Sequence, residues 1–173
     1  MGDFWVFGYG SLIWRPGFAH VETRRARLFG YRRSLCVYSF VHRGTRGRPG
    51  LVLGLDRGGS CIGLAYRVPG NLRDEVLSYL RERELVTSVY LERMLDIRLD
   101  GGVSVEAVAY IVDRQHEQYA GALDADQAAE VVRGAFGQSG RNEDYVLSTL
   151  EHLEALGIRD HWLEEVGRQV APS

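Results

Sequence analysis

The sequence predicts an α+β fold, in which a small mixed β-barrel or curled sheet is flanked by helices. Strand-like runs dominate the first two thirds of the 173 residues, and helical patterns dominate the last third. This order is typical of α+β proteins rather than of alternating strands and helices around a parallel sheet. Hydrophobic residues make up 45% of the chain, which indicates a folded chain with a sizeable core. Because we find no linker or internal repeat, we expect a single domain over residues 1–173.

The strands are predicted from runs of β-branched and aromatic residues that are bounded by glycine and proline. These runs cover residues 4–9, 26–39, 51–56, 60–68, 89–99 and 103–113. The pair 51–56 and 60–68 is expected to form a hairpin across Arg57-Gly58-Gly59. Residues 40–50 are rich in Gly and Arg and are expected to form a loop.

The helices are predicted from apolar residues that recur with the period of an α-helix. They cover residues 71–84, 124–136, 143–156 and 160–170. In the first helix Asn71 is expected to cap the N-terminus, and Leu72, Val76, Leu77 and Leu80 share one face.

A glycine motif, Gly8-Tyr9-Gly10-Ser11-Leu12, directly follows the first strand. Glycines let the backbone approach a ligand closely, and successive N–H groups in such a turn can hold a carboxylate or a phosphate. Ser11 adds a hydroxyl group. The third glycine of a dinucleotide-binding fingerprint is missing. The motif is therefore compatible both with an anion-binding loop and with an ordinary turn.

The run Arg81-Glu82-Arg83-Glu84 ends the first helix. Glu84 follows Leu80 by four residues and continues the apolar face, whereas Glu82 points elsewhere. A glutamate beside apolar walls has a raised pKa and can act as a general base near neutral pH. A guanidinium group close to Glu84 would oppose this rise in pKa, and we expect Arg81 and Arg83 to extend into solvent. The alternative is that the whole run forms a solvated charged face.

A third segment, residues 137–145, precedes a helix and contains Asn142 and Tyr145. One interpretation places the Tyr145 hydroxyl group against a ligand. The other makes Asn142 a helix cap and places Tyr145 in the core. The spacing does not decide between them.

The composition excludes several kinds of chemistry. All 21 basic residues are Arg, so a Schiff-base lysine, a P-loop lysine and a Ser-Lys dyad are excluded. Cys36 and Cys61 are expected to be buried free thiols, and the five histidines lack the spacing of metal ligands. We therefore expect no metal and no cofactor.

The charge is unevenly distributed along the chain. Residues 1–50 carry nine Arg and two acids, whereas residues 51–173 carry twelve Arg and twenty-one acids. The basic first part suggests an anionic partner. A small anionic ligand suits it, and no recognisable nucleic-acid motif is present, so nucleic acid is not expected.

Five stretches together carry a family resemblance: WVFGYGSLIWRPGF at 5–18, HRGTRGRPGLVLGL at 42–55, GLAYRV at 63–68, YLRERELVTSVY at 79–90 and SGRNEDYV at 139–146. They resemble the ChaC type of γ-glutamylcyclotransferase, the glutathione-specific branch of that superfamily. The resemblance covers most of the chain. It implies a γ-glutamylcyclotransferase-like mixed barrel and the cleavage of glutathione to 5-oxoproline and Cys-Gly.

The resemblance also implies the site residues. Glu84 matches the family's catalytic glutamate, and Tyr145 matches its helix-start tyrosine. The family's substrate loop matches Val6, Phe7, Gly8, Tyr9, Gly10, Ser11 and Leu12. One departure is Ser88, where related bacterial sequences often carry Gly. From charge alone, Arg43, with Arg46 and Arg48, is a candidate partner for the glycine carboxylate of glutathione.

Two alternatives remain open from the sequence. The chain could act on another γ-glutamyl amino acid or amine, or it could be a non-catalytic anion-binding module on the same fold. No run of 18 apolar residues suggests a membrane span, and the N-terminus lacks a basic signal-peptide region. We expect a cytoplasmic protein that forms a monomer or a weak homodimer.

Overall fold

Five strands form a closed barrel in the order β1-β3-β2-β4-β5. They are β1 (Phe4–Gly8), β2 (Glu22–Ser39), β3 (Gly50–Val68), β4 (Tyr90–Leu99) and β5 (Ser104–Val112). The β1 strand pairs antiparallel with β3 and parallel with β5, so the barrel is mixed. Burial alternates along the first residues of β2, which reflects the period of two in a strand. The predicted α+β fold with a small mixed barrel is confirmed.

The helices are α1 (Ser11–Trp14), α2 (Arg73–Glu84), α3 (Ala125–Val132), α4 (Asn142–Ala155) and α5 (His161–Val170). Two short strands, β6 (Phe136–Gly137) and β7 (Gly140–Arg141), form a separate antiparallel pair. The computed structural model describes residues 2–172, and none of the helices in that range is long and apolar enough to cross a membrane.

The backbone divides into two compact units, the first formed by residues 2–33 and 55–113 and the second by 34–54 and 114–172. The first unit contains β1, α1, α2, β4, β5 and parts of β2 and β3. Its core joins α2 to the barrel strands through Val6, Leu12, Leu80 and Tyr110, which are at most 4% exposed. This core fixes the end of α2 beside the loop that follows β1.

The second unit contains α3, α4 and α5. The side chain and backbone of Asp124 form a reciprocal capping box with Gln127 at the start of α3, and Asp160 caps α5. The α5 helix packs closely against α4 at Gly167, where a Cβ atom would collide with Leu150. That the two units act as one domain stays a prediction.

Three local predictions were wrong. Residues 50–68 form one continuous strand instead of a hairpin, and Gly58 and Gly59 take φ values of +105° and +70° within it. The helix predicted to reach residue 136 ends at Val132, since Gly134 takes a left-handed φ of +77°.

The third is the helix cap predicted at Asn71, whereas a cap at Asn142 was one of two open interpretations. Asn71 lies in a 3-10 turn before α2 and forms no cap hydrogen bond. Asn142 is the first residue of α4, and its buried amide group bonds to both backbone groups of Leu51, at 2.8 and 2.9 Å.

Candidate active site

Glu84, the last residue of α2, presents its carboxylate to the interior of the first unit. Leu80, one turn earlier, is completely buried, and the Glu84 side chain is only 15% exposed. Glu82, in contrast, is exposed to solvent. Burial raises the pKa of Glu84 above its ordinary value, and the nearby Arg83 guanidinium lowers it by less. The carboxylate therefore has the environment expected for a general base.

The two arginines that flank Glu84 behave differently. Arg81 is 52% exposed and binds Glu92 through two hydrogen bonds of 2.9 and 3.0 Å. Arg83 is only 19% exposed, and its Nε atom lies 3.7 Å from Oε1 of Glu84. The expectation that both arginines extend into solvent is wrong for Arg83. The hydroxyl group of Ser11 in α1 and the carbonyl oxygens of Arg15 and Pro16, which follow α1, accept its hydrogen bonds. A helical pattern does not reveal such partners.

The predicted substrate loop, residues 6–12, places most of its side chains in the core. Val6, Phe7 and Leu12 are at most 4% exposed and Tyr9 is 8% exposed, so these four side chains pack in the core. Ser11, at the start of α1, is exposed. Its Oγ atom accepts a hydrogen bond of 2.9 Å from Nη2 of Arg83. One guanidinium group thus contacts both the loop and Glu84.

The position of this loop depends on close backbone contacts between β1 and β3. A Cβ atom on Gly8 would lie 3.0 Å from Cβ of Leu12. A Cβ atom on Gly63, in β3, would lie 2.9 Å from Cζ of Phe7 and still closer to the carbonyl oxygen of Gly8. Glycine is therefore required at Gly63 for close approach, whereas a Cβ atom at Gly8 would force Leu12 to shift by a few tenths of an ångström. The φ values of both glycines lie outside the left-handed region.

Three further residues hold or surround this site, and sequence reasoning did not select them. Arg33 is 5% exposed and donates hydrogen bonds to the carbonyl oxygens of Tyr9 (2.6 Å) and Ile62 (2.7 Å). Tyr66 donates to the carbonyl oxygen of Leu12 at 2.7 Å, and burial raises its pKa to about 12. Tyr110 donates to Glu92 at 2.8 Å. Their only signal in the sequence was that Tyr66 lies within the GLAYRV stretch.

The other predicted ligand contacts, Arg43 and Tyr145, lie in the second unit. The Tyr145 hydroxyl oxygen accepts a hydrogen bond of 3.0 Å from the backbone N–H of Leu53. The Arg43 guanidinium lies 5.5 Å from the centre of the Tyr145 ring and donates to the carbonyl oxygen of Arg141. Both side chains therefore have structural partners within this unit.

The remaining arginines of the 40–50 loop also have partners. Arg46 lies 4.8 Å from the centre of the Phe40 ring, and Arg48 donates to the carbonyl oxygen of Arg133. Cys36 and Cys61 are buried free thiols, as predicted. Within residues 2–172, His, Cys, Asp and Glu form no group of three or more that could hold a metal ion.

Comparison with known proteins places the chain in a family. The model of the ChaC-like protein family matches residues 4–172. The glutathione-specific γ-glutamylcyclotransferase of Escherichia coli is 35% identical over 165 residues, which are 95% of this chain and 71% of that protein. The glutathione-specific γ-glutamylcyclotransferase 1 of Mus musculus is 33% identical over 168 residues, covering 94% of this chain and 75% of that protein.

Solved structures share the fold. The crystal structure of a γ-glutamyl cyclotransferase specific to glutathione from yeast superposes with a TM-score of 0.86, at 23% identity, over 98% of this chain and 96% of that chain. A second γ-glutamyl cyclotransferase has a TM-score of 0.56, at 15% identity, over 99% and 89% of the two chains. The predicted resemblance is confirmed, and the chain belongs to the ChaC-like protein family.

Proposed function

We propose that this chain is a glutathione-specific γ-glutamylcyclotransferase, which converts glutathione to 5-oxoproline and Cys-Gly. The observation that carries the proposal is the Glu84 side chain, which is 15% exposed and is linked through Arg83 to Ser11. Ser11 belongs to the glycine motif of residues 8–12, which we call the glycine loop. The names of the E. coli and mouse relatives support glutathione as the substrate.

The reaction needs no nucleophile from the protein. The α-amine of the glutamyl group attacks its own γ-carbonyl carbon, the new C–N bond closes the five-membered ring, and the amide bond to cysteine breaks. Glu84 takes a proton from the α-amine, which is ordinarily protonated at pH 7, and a proton is delivered to the departing nitrogen. The raised pKa of Glu84 brings this acid–base couple closer to neutral pH.

The glycine loop would hold the glutamyl end in the folded conformation that cyclisation requires. The backbone N–H groups of Gly10, Ser11 and Leu12 and the exposed hydroxyl group of Ser11 are the donors we assign to this task. Holding two reacting groups together in this way is worth about 7–11 kcal/mol in favourable systems. The substrate contacts assigned to Arg43 and Tyr145 stay predictions.

The test is to incubate the pure protein with glutathione and to measure Cys-Gly and 5-oxoproline. Glu84→Gln is expected to fold and to lose activity by about 10²–10⁴-fold, because the base is removed while the shape is kept. Glu82→Gln, in the same turn of the helix but exposed, is the matched control and is expected to keep full activity. Full activity in Glu84→Gln would show that another group is the base.

Two further arms separate the alternatives. A higher rate with γ-glutamyl-alanine than with glutathione would favour a cyclotransferase for another γ-glutamyl compound. If glutathione protected the chain against thermal unfolding without product formation, the chain would be a binding module. We also propose that the substrate is a small molecule, that the protein is cytoplasmic and that it forms a monomer or a weak homodimer. Light scattering at several protein concentrations tests the oligomeric state.

A further inference from the structure

We propose that Arg83 is a positioning residue, whose guanidinium group ties the segment 11–16 to the end of α2 and so fixes Glu84 relative to the glycine loop. This inference rests on the proposed role of Glu84 as the base. It assigns to Arg83 a task that acts through Glu84 and the loop, without contact with the substrate.

The first support is the set of hydrogen bonds that Arg83 forms. Its Nη2 atom donates to Oγ of Ser11 at 2.9 Å, and its Nη1 atom donates to the carbonyl oxygens of Arg15 (2.6 Å) and Pro16 (3.2 Å). Nη1 also lies 3.0 Å from the hydroxyl oxygen of Tyr79. These acceptors are 67 to 72 residues before Arg83 in the sequence, except for Tyr79 in its own helix. The contacts therefore join two distant parts of the first unit.

The second support is the direction in which Arg83 points. Adjacent residues of an α-helix do not face each other, yet Nε of Arg83 lies 3.7 Å from Oε1 of Glu84. Its side chain is 19% exposed, whereas that of Arg81, two residues earlier, is 52% exposed and binds Glu92. The side chain of Arg83 is therefore largely shielded from solvent by its partners, whereas the side chain of Arg81 stays half exposed.

The third support is that the arrangement needs the shape of arginine. The planar guanidinium group directs its N–H groups in several fixed directions, so it contacts Ser11, Arg15 and Glu84 at the same time. The ammonium group of lysine is a single point charge on a flexible stem. Lysine would keep the positive charge near Glu84 but would not hold both ends of the bridge.

The charges around this pair define how it should respond to pH. The other titratable groups of the first unit that surround Arg83 and Glu84 are the phenols of Tyr66 in β3, Tyr79 in α2 and Tyr110 in β5. Burial raises the pKa of Tyr66 and of Tyr110, so these two phenols carry no charge between pH 5 and 8. Because Arg81 is paired with Glu92 of β4, Arg83 is the cation that stabilises ionised Glu84.

The test compares Arg83→Gln and Arg83→Lys with Arg81→Gln, the matched control on the exposed side of the helix. The rate of Cys-Gly formation is measured against glutathione concentration and pH. Arg83→Gln is expected to reduce kcat by about 10²-fold, as small misplacements of reacting groups do. The acidic limb of its kcat/KM profile should move to higher pH, because the pKa of Glu84 loses the lowering effect of Arg83.

Arg83→Lys separates charge from shape. It is expected to keep the acidic limb near its wild-type position while kcat stays low, whereas Arg83→Gln moves the limb. A loss of stability in both variants would not produce this difference between their pH profiles. Arg81→Gln should keep the wild-type kcat and the wild-type position of the acidic limb.

A wild-type kcat in Arg83→Lys would overturn the inference. A folded Arg83→Gln with a wild-type kcat and an unmoved acidic limb would overturn it as well. Inactive wild-type protein, or an active Glu84→Gln, would instead overturn the proposed function.

Discussion

Gly63 in β3 is a position where one added methyl group should disturb the site. In Gly63→Ala the new Cβ atom would lie 2.9 Å from Cζ of Phe7 and closer still to the carbonyl oxygen of Gly8, whereas ordinary contacts begin at 3.4 Å. The Phe7 ring must therefore retreat by about 0.5 Å, and the carbonyl oxygen of Gly8 must retreat by roughly 1 Å. Because Gly8 leads directly into the glycine loop, the displacement reaches Ser11.

Two measurements follow from this geometry. Overpacking of this size costs about 1–3 kcal/mol of the free energy of unfolding, measured by urea denaturation. A displacement of about 1 Å at the reacting groups costs on the order of 10²-fold in kcat/KM, measured as Cys-Gly formation from glutathione.

Gly47→Ala is the control, since the nearest atom to its new Cβ is Oγ1 of Thr45 at 4.0 Å. It should change the free energy of unfolding by less than about 0.5 kcal/mol. If Gly63→Ala kept wild-type stability and kcat/KM, the close contact between β1 and β3 would not be what positions the loop.

Two more predictions concern stability. Burial raises the folded-state pKa of Glu84, so the free energy of unfolding falls as pH rises from the unfolded-state pKa through the folded-state pKa and the buried carboxyl group ionises. Glu84→Gln should therefore be more stable than wild type at pH 8, with the difference disappearing towards pH 4. A difference between the urea midpoints of Glu84→Gln and wild type that did not change with pH would contradict this. Tyr66→Phe removes the hydrogen bond to the carbonyl of Leu12 and should cost about 1–3 kcal/mol, because that acceptor is left buried without its donor. An unchanged free energy of unfolding in Tyr66→Phe would show that another donor replaces the hydroxyl group.

The amino-acid sequence was sufficient to predict the parts of this protein that depend on local patterns. The α-helical period placed Glu84 on the same face as Leu80, and the structure buries Leu80 completely and leaves the Glu84 side chain only 15% exposed. Runs of β-branched and aromatic residues predicted the strands of the barrel, and the glycine motif after β1 predicted a tight loop. These patterns depend on residues no more than a few positions apart, so one sequence suffices to detect them.

Only the tertiary structure decided how distant groups meet. The inward direction of Arg83 depends on carbonyl oxygens 67 and 68 residues away, and the pairing of Asn142 with Leu51 spans 91 residues. The continuity of β3 through Gly58 and Gly59 likewise depends on the strands beside it, because glycine allows both a turn and a bent strand. A long polar side chain settles on whichever partners the fold brings within reach, and no local pattern specifies them.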